Sequence, residues 1–442
     1  MTTRNALPCL FALAALVAAL AATVTTGGTL ADHGALLGWY AADCALFALA
    51  VRLLRRIPAG QVTALVLLGS AAVAVTGLLA PPRTSDDAYR YVWDGRVQAA
   101  GISPYRYTPD DPALARLRDP GLFPAGPCTA WDERRTAAGD CTHINRPAVH
   151  TVYPPVAEAW FLALHPFGGG VRGVQTGGAV LAVGTTAALL AVRRRNWRAA
   201  LWGWSPGVVV WAVNDAHVDT LGVLLMVAGL GCAAGRRPVA GGLLLGAAVA
   251  TKLLPALALP GALAGRRLRL AVAVLGAFVA AYLPYVLASG VGVLGYLPGY
   301  LREEGYEQGS IQRFALLRLV VPDSLAPYLA GAVLAAVVLY VLRRGDPARP
   351  WGGALLVTGT ALLVVSPAYP WYGLLVVALV ALDGRWEWLA VPAAGQVLYL
   401  TGGQAEQRAA YGVALAAVLA GVAVRRRTGK MRVITGRGDQ GG

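Results

Sequence analysis

The chain reads as an all-α polytopic membrane protein, and three observations lead there. Hydrophobic residues make up 57% of its 442 positions and charged residues only 14%, a balance that soluble globular chains of this length do not keep. Mean hydropathy is +0.56. Apolar runs near the roughly 20 residues needed to cross a hydrocarbon core of about 30 Å recur from the N-terminus to Val424. No soluble domain of any size is left outside them, so residues 1–442 are read as a single integral membrane domain.

The formal net charge of +15 does not point to nucleic acid. The arginines fall in short clusters between apolar runs, with no basic face interleaved with the aromatics that stack bases. Positive-inside bias accounts for them and places Arg52 to Arg56, Arg193 to Arg198, Arg236-Arg237, Arg266 to Arg269, Arg343-Arg344 and Arg425 to Lys430 in the cytoplasm.

Those clusters orient each element in turn. Residues 6–26 lead out, as a retained helix whose apolar core exceeds that of a signal peptide, 36–51 return to Arg52, and 60–80 lead out again. Residues 81–150 then form a large first outer loop. The apolar stretch 153–167 is short and reads as an interfacial or re-entrant helix, with 173–192 as the crossing back to Arg193. Two hairpins follow, 199–213 with 217–234 and 238–250 with 253–265, whose outward tips are Asn214 to Asp219 and Thr251-Lys252. Residues 269–289 lead to a second outer loop from 290 to about 320, and 325–342 return. A hairpin of 351–367 and 371–383 has its outer tip at Tyr369 to Tyr372, and 388–402 with 408–424 form the last. The expectation is roughly 12 to 14 transmembrane or re-entrant helices, some short enough to require a thinned bilayer or a broken span. Residues 425–442 are expected to form a disordered basic tail at the cytoplasmic surface.

This topology also sorts the other ionisable residues. Asp86, Asp87, Asp94, His150, His217, Asp219, Lys252, Glu303, Glu304 and Arg313 all fall on the outer side. Chemistry there has no access to cytoplasmic nucleotide sugars, so the chain either uses a lipid-linked donor or moves a solute. Cys9, Cys44 and Cys232 lie in apolar segments as buried thiols, whereas Cys128 and Cys141 share the outer loop, where an oxidising compartment favours a disulfide.

The candidate chemistry centres on a polar island, Ser85-Asp86-Asp87-Ala88-Tyr89-Arg90-Tyr91-Val92-Trp93-Asp94-Gly95-Arg96. A carboxylate of the Asp86-Asp87 pair can take a proton from a hydroxyl that attacks an anomeric carbon as phosphate departs, which inverts the configuration. The same residues also make a good helix start, since serine followed by acids caps and charges a first turn. Tyr89, Tyr91 and Trp93 can stack on sugars or sit in an interfacial belt. Arg90, Asp94 and Arg96 either meet a substrate or pair with one another.

Lys252, one of only two lysines and flanked by apolar segments, is the sharpest candidate for holding a departing phosphate, against the plain reading of a snorkelling side chain. His217 and Asp219 belong to the metal-ligand set, but two ligands do not make a site, so they are read as supporting or phosphate-binding groups and no metal or other cofactor is expected. Arg302, Arg313, Tyr369, Trp371 and Tyr372 complete the expected rim. Gly168 to Gly170 is a flexible break, because no Lys-Ser/Thr follows at phosphate-loop spacing.

The island, together with Gly101-Ile-Ser-Pro-Tyr105, Ile144-Asn-Arg-Pro147 and Thr151-Val-Tyr153-Pro-Pro155, resembles the bacterial GT-C glycosyltransferases often called mannosyltransferases. The likeness is strong over 81–167 and mainly hydrophobic architecture beyond. It implies a polytopic enzyme of the cytoplasmic (inner) membrane that uses a polyprenyl-phosphate sugar, with its active site on the extracytoplasmic side and an acidic residue of the first large outer loop as base. The Asp-x-x-Tyr spacing alone fits Asp86. The Asp-Asp-x-Tyr form makes Asp87 the base with Asp86 as its partner, and the Thr151 motif brings Tyr153 to the substrate. The chain departs from the simplest family pattern in having three helices before that loop. Two function classes follow: an inverting hexosyltransferase, with mannose implied by the resemblance and a lipid, glycan or protein hydroxyl as acceptor, or a transporter or flippase. The polar groups collect at the outer edge and not at the midplane, and no inverted repeat is evident, which favours the transferase.

Overall fold

The computed structural model describes residues 6–435 except 169, 195, 266, 296, 298 and 300–312, and gives only the backbone of Leu294 and of 428–435. Arg302, Glu303 and Glu304 therefore lie outside the described residues. Three long helices open the chain: α1 (Ala6–Thr26), α2 (Gly34–Leu54) and α3 (Ala59–Thr76). The segment between α3 and α6 carries α4 (Asp87–Ala99), the two-residue strands β1 (Arg134–Arg135) and β2 (Cys141–Thr142), and α5 (Pro155–Leu164). The remainder is helical: α6 (Val171–Val192), a π-helical turn at Val208–Asn214, α7 (Asp219–Ala234), α8 (Pro238–Thr251), α9 (Leu254–Leu263), α10 (Leu268–Ser289), α11 (Ala326–Arg344), α12 (Pro350–Val365), α13 (Pro370–Asp383), α14 (Ala390–Thr401) and α15 (Gln404–Thr435).

Among the described residues, seven helices are long and apolar enough to cross a membrane, or eight if the π-turn and α7, bent by 113° at their junction, count as one span. The shorter apolar helices α8, α9, α12 and α13 run between the same two ends of the bundle. Of the expected tail, the backbone of 425–435 continues α15, while 436–442 lie outside the described residues.

Burial follows the apolar pattern. Every residue from Leu374 to Leu382 is buried, so α13 is the axis about which the others pack, as expected of a helix that is hydrophobic all round. In contrast, α10 exposes Leu268, Leu275 and Leu287 at 75%, 64% and 79%, which only a lipid-facing helix tolerates in bulk.

The two ends differ in charge. Arg55 lies over Trp197, Arg193 over Trp351, Arg198 donates to the Asp383 carbonyl, Arg267 to those of Ala233 and Pro347, and Arg385 and Arg425 pair with Asp383 and Glu387. The carboxylate doublet sits at the opposite end with Lys252, His217 and Tyr369 to Tyr372.

Helix length sets the depth of that second end. In α8, Gly242 and Gly246 abut the backbone of Leu270 and Val274 in α10, an approach a Cβ would block at 2.5 and 2.4 Å. The two helices run side by side from the arginine-rich end. Lys252 is thus level with residue 280 or so, while α10 continues to Ser289, roughly 13 Å further at about 1.5 Å per residue. The polar groups at the end of α8 are recessed below the rim.

A second close approach fixes α4. A Cβ on Gly95 would meet the Phe161 carbonyl oxygen of α5 at 2.5 Å, with backbone on both sides and no flexible neighbour to yield. Gly95→Ala is expected to cost about 1–3 kcal/mol and to lower the melting temperature of the purified protein, because the helices must separate to admit the methyl group. An unchanged melting curve would contradict this packing.

Candidate active site

The site is built on the connection from α3 to α4. Ser85 Oγ accepts from the Asp87 amide at 3.3 Å, so the serine-acid sequence does start a helix, and the doublet falls at its first turn. The turn before it is held from across the bundle. Asp215 Oδ1 accepts the amides of Arg83, Thr84 and Ser85 at 3.2, 3.1 and 3.2 Å, and its other oxygen accepts the Thr84 hydroxyl. Asn214 Nδ2 donates to the carbonyls of Gly77, Ala80 and Pro81, each at 3.1 Å, and the Tyr399 hydroxyl donates to the Thr84 carbonyl at 2.5 Å.

Both carboxylates of the doublet are thereby aimed at one residue. Asn145 Nδ2 donates to Asp87 Oδ1 at 2.6 Å and to Asp86 Oδ1 at 3.0 Å. Beyond that shared donor their surroundings differ. Asp87 Oδ2 lies 3.3 Å from Nδ1 of His217, whose ring is fully buried and stacked on Trp371 at 3.8 Å. Asp86 Oδ2 lies 2.9 Å from a nitrogen of Arg134, an ion pair set off the hydrogen-bond line. Burial and the charge of Asp87 push the Asp86 carboxyl up to about 6, against the pull of Arg134. Burial also raises Asp87, but His217, Lys252 and Asn145 together outweigh it and hold that carboxyl well below the usual range. Two adjacent carboxylates are thus driven apart in acidity by their neighbours.

Lys252 Nζ donates to Asp219 Oδ2 at 2.7 Å and lies 5.2 Å from the Tyr372 ring centre. Its partner and its aromatic neighbour make a recessed ammonium tolerable. The cavity above it measures about 480 Å³ and is lined by Asp86, Asp87, Arg134, Asn145, Arg146, Tyr153, Lys252, Tyr369, Trp371, Tyr372 and Tyr399. Leu253, Leu254, Tyr282, Val293 and Leu297 form an apolar wall toward α10. The volume suits a small polar ligand with an apolar extension.

Of the residues expected at the site, Asp86, Asp87, Tyr153, Lys252, Tyr369, Trp371 and Tyr372 do line this cavity, with His217 and Asp219 directly behind it. Of the other candidates, Arg302 lies outside the described residues, and Arg90, Asp94, Arg96, Tyr89 and Arg313 do not line the cavity. Arg90 and Asp94, one helical turn apart on α4, form a buried ion pair at 3.0 Å through Nε, and Arg90 Nη1 donates to the Val149 carbonyl at 3.1 Å. Arg96 reaches back to Asp119 and the Leu117 carbonyl. Tyr89 donates to Asp132 at 3.0 Å and stacks on His143. Arg313 is 1% exposed, in the segment that joins the Val365 carbonyl and beside Tyr411, and does not line the cavity. Cys128 and Cys141 are joined, with Cα atoms 5.4 Å apart. Among the described residues no group of three His, Cys, Asp or Glu side chains is placed to hold a metal ion.

Sequence reasoning missed Asn145, Arg134, Arg146, Asp215 and Tyr399. Asn145 and Arg146 lie in the quoted Ile144-Asn-Arg-Pro147 stretch, and Asp215 in Asn214-Asp-Ala-His-Val-Asp219, so the signal was present but was credited to other members.

Asp215 is the testable keystone. Asp215→Ala strands three backbone amides and a hydroxyl, and is expected to destabilise the protein by on the order of 3 kcal/mol, with Asp215→Asn in between, as read from thermal melting in detergent. Equal stability of all three proteins would show that the turn is held some other way.

No curated protein and no solved structure matches the chain. Residues 151–367, which contain Tyr153, His217, Asp219 and Lys252 but not the doublet, match the model of glycosyltransferase family 87, and with the apolar helices this match supports a glycosyltransferase set in a membrane.

Proposed function

We propose that the chain is an inverting glycosyltransferase that moves a hexose, mannose on the resemblance, from a polyprenyl phosphate to a hydroxyl of a lipid, glycan or protein at the outer face of the cytoplasmic membrane. The observation that carries this reading is the recessed cavity in which the Asp86-Asp87 doublet, backed by His217, faces Lys252 across a space bounded by an apolar wall.

In this mechanism Asp87 is the base. It is ionised in the free enzyme, and the incoming donor phosphate sets a negative charge beside it and draws on Lys252, both of which raise its proton affinity toward the working range. The acceptor oxygen gives its proton to Asp87 as it attacks the anomeric carbon, and the C–O bond to the phosphate breaks with its electrons leaving on the phosphate. Lys252 offsets that charge, and the imidazole of His217, 3.3 Å behind Asp87, steadies the newly protonated carboxyl. One displacement inverts the configuration, with no covalent sugar-enzyme intermediate. The clustering of the polar groups at one end, together with the family match, argues against the alternative of a transporter or flippase.

Purified protein incubated with polyprenyl-phosphate mannose and candidate acceptors is expected to transfer the sugar, with Asp87→Asn slower by roughly 10²- to 10⁴-fold, the usual worth of a general base. A folded Asp87→Asn protein at full activity rejects the assignment, and an inactive Asp86→Asn beside an active Asp87→Asn moves the role to Asp86. Lys252→Met is expected to weaken use of the donor by roughly ten- to a hundredfold. Donor lipid crossing proteoliposomes without any transfer would favour the flippase.

Acidity adds a separate expectation. Protonating Asp86 removes a charge from the doublet, so kcat/KM is expected to fall as pH drops through about 6, and this limb to disappear in Asp86→Asn. An identical acid limb in Asp86→Asn would assign it elsewhere.

A further inference from the structure

The loop between Cys128 and Cys141 is tied to the active-site helix more firmly than an external loop requires. The bridge closes its base, and β1 and β2 pair Arg134 with Thr142 and Arg135 with Cys141. Asp132, 8% exposed, accepts from Tyr89 of α4 at 3.0 Å and lies 3.2 Å from Nδ1 of His143. One nitrogen of Arg134 donates back to the carbonyls of Trp131 and Glu133 at 2.9 and 2.8 Å, which locks the guanidinium, and the other lies 2.9 Å from Asp86.

An ion pair between exposed side chains contributes little. This one differs because the Asp86 side chain is 13% exposed and its nearest acidic neighbour is Asp87, so that without a cation two enclosed carboxylates would stand side by side. The groups facing Asp86 are Asp87 and Tyr89 on α4, Arg134 on β1, Asn145 beyond β2 and Tyr399 on α14. Arg134 is the cation among them.

We propose that the bridged loop is a positioning arm for the doublet: Arg134 holds the Asp86 carboxylate on Asn145 beside Asp87, and the Cys128–Cys141 bridge, with the Asp132 clasp on Tyr89, holds Arg134 in place. This rests on the doublet being the reaction centre. Arg134 is a positioning residue that acts through Asp86.

The test uses the full-length purified protein with Arg134→Gln, Arg134→Lys and the double change Cys128→Ala/Cys141→Ala. Removing a positive charge favours the protonated carboxyl, so Asp86 should titrate about one pH unit higher in Arg134→Gln. The acid limb of kcat/KM for transfer from polyprenyl-phosphate mannose is expected to move up by that amount, with kcat reduced about threefold near pH 6.5 and KM for the donor nearly unchanged. Arg134→Lys should restore most of the loss. The double cysteine variant should shift in the same direction.

Infrared difference spectra across the titration, with Asp86→Asn used to assign the carboxyl band, read the same midpoint without turnover. A protein that transfers no mannose therefore defeats the functional reading without deciding this one. A lower melting temperature with the Asp86 midpoint unmoved in Arg134→Gln overturns the proposal in favour of a merely structural loop. If the double cysteine variant does not fold, the Arg134 pair decides alone, since that side chain is 41% exposed.

Discussion

The geometry of the site depends on one buried carboxylate that takes no part in the proposed chemistry. Asp215 gathers three successive amides of the α3–α4 connection and the Thr84 hydroxyl, and Asn214 beside it ties down three carbonyls of the same connection. A backbone turn near the membrane surface needs a partner for every amide and carbonyl. These two side chains supply them from a π-turn at the far side of the core. That turn widens the helix, its last bond running from the Asp215 amide to the Val210 carbonyl, ahead of the 113° bend into α7, so Asn214 and Asp215 hold the connection after α3 while His217 and Asp219 stand behind the cavity. A single hairpin tip thus fixes both halves of the site.

From this tie the division of labour in the cavity follows. Asp86 and Asp87 share Asn145 and differ in everything else. Asp87 looks inward to His217 and Lys252, which belong to the core of the bundle, and Asp86 looks outward to Arg134, which belongs to a surface loop. The inner carboxylate is surrounded by groups that a helix bundle holds rigidly. The outer one relies on a short ribbon that needs a covalent closure to keep its shape, because four paired residues are too few to stand alone.

The helices and their order were legible in the sequence because a membrane span is a local signal. Ala6–Thr26, Val171–Val192 and Leu268–Ser289 lie within a few residues of the runs from which they were expected. Lys252 was legible for a related reason, since a lysine between apolar helices has to be justified by a partner, and Asp219 is that partner. What was not legible depended on convergence. Arg90 and Asp94 carry the right chemistry for a substrate site, but their one-turn spacing lets them pair with each other. Asn145 is an ordinary loop amide until folding sets it between two carboxylates 59 and 58 residues earlier.

The stunted length of α8 has a consequence for how a ligand arrives. Drawing an isoprenoid tail out into water would cost about 0.8 kcal/mol for each methylene uncovered, a prohibitive sum over a long chain. On the proposed function, a floor sunk beside α10, with Leu297 and Tyr282 among the apolar residues that line the cavity, would let a lipid-borne phosphate settle against the ammonium group while its hydrocarbon stays among the lipids. Encounter then becomes a search in two dimensions.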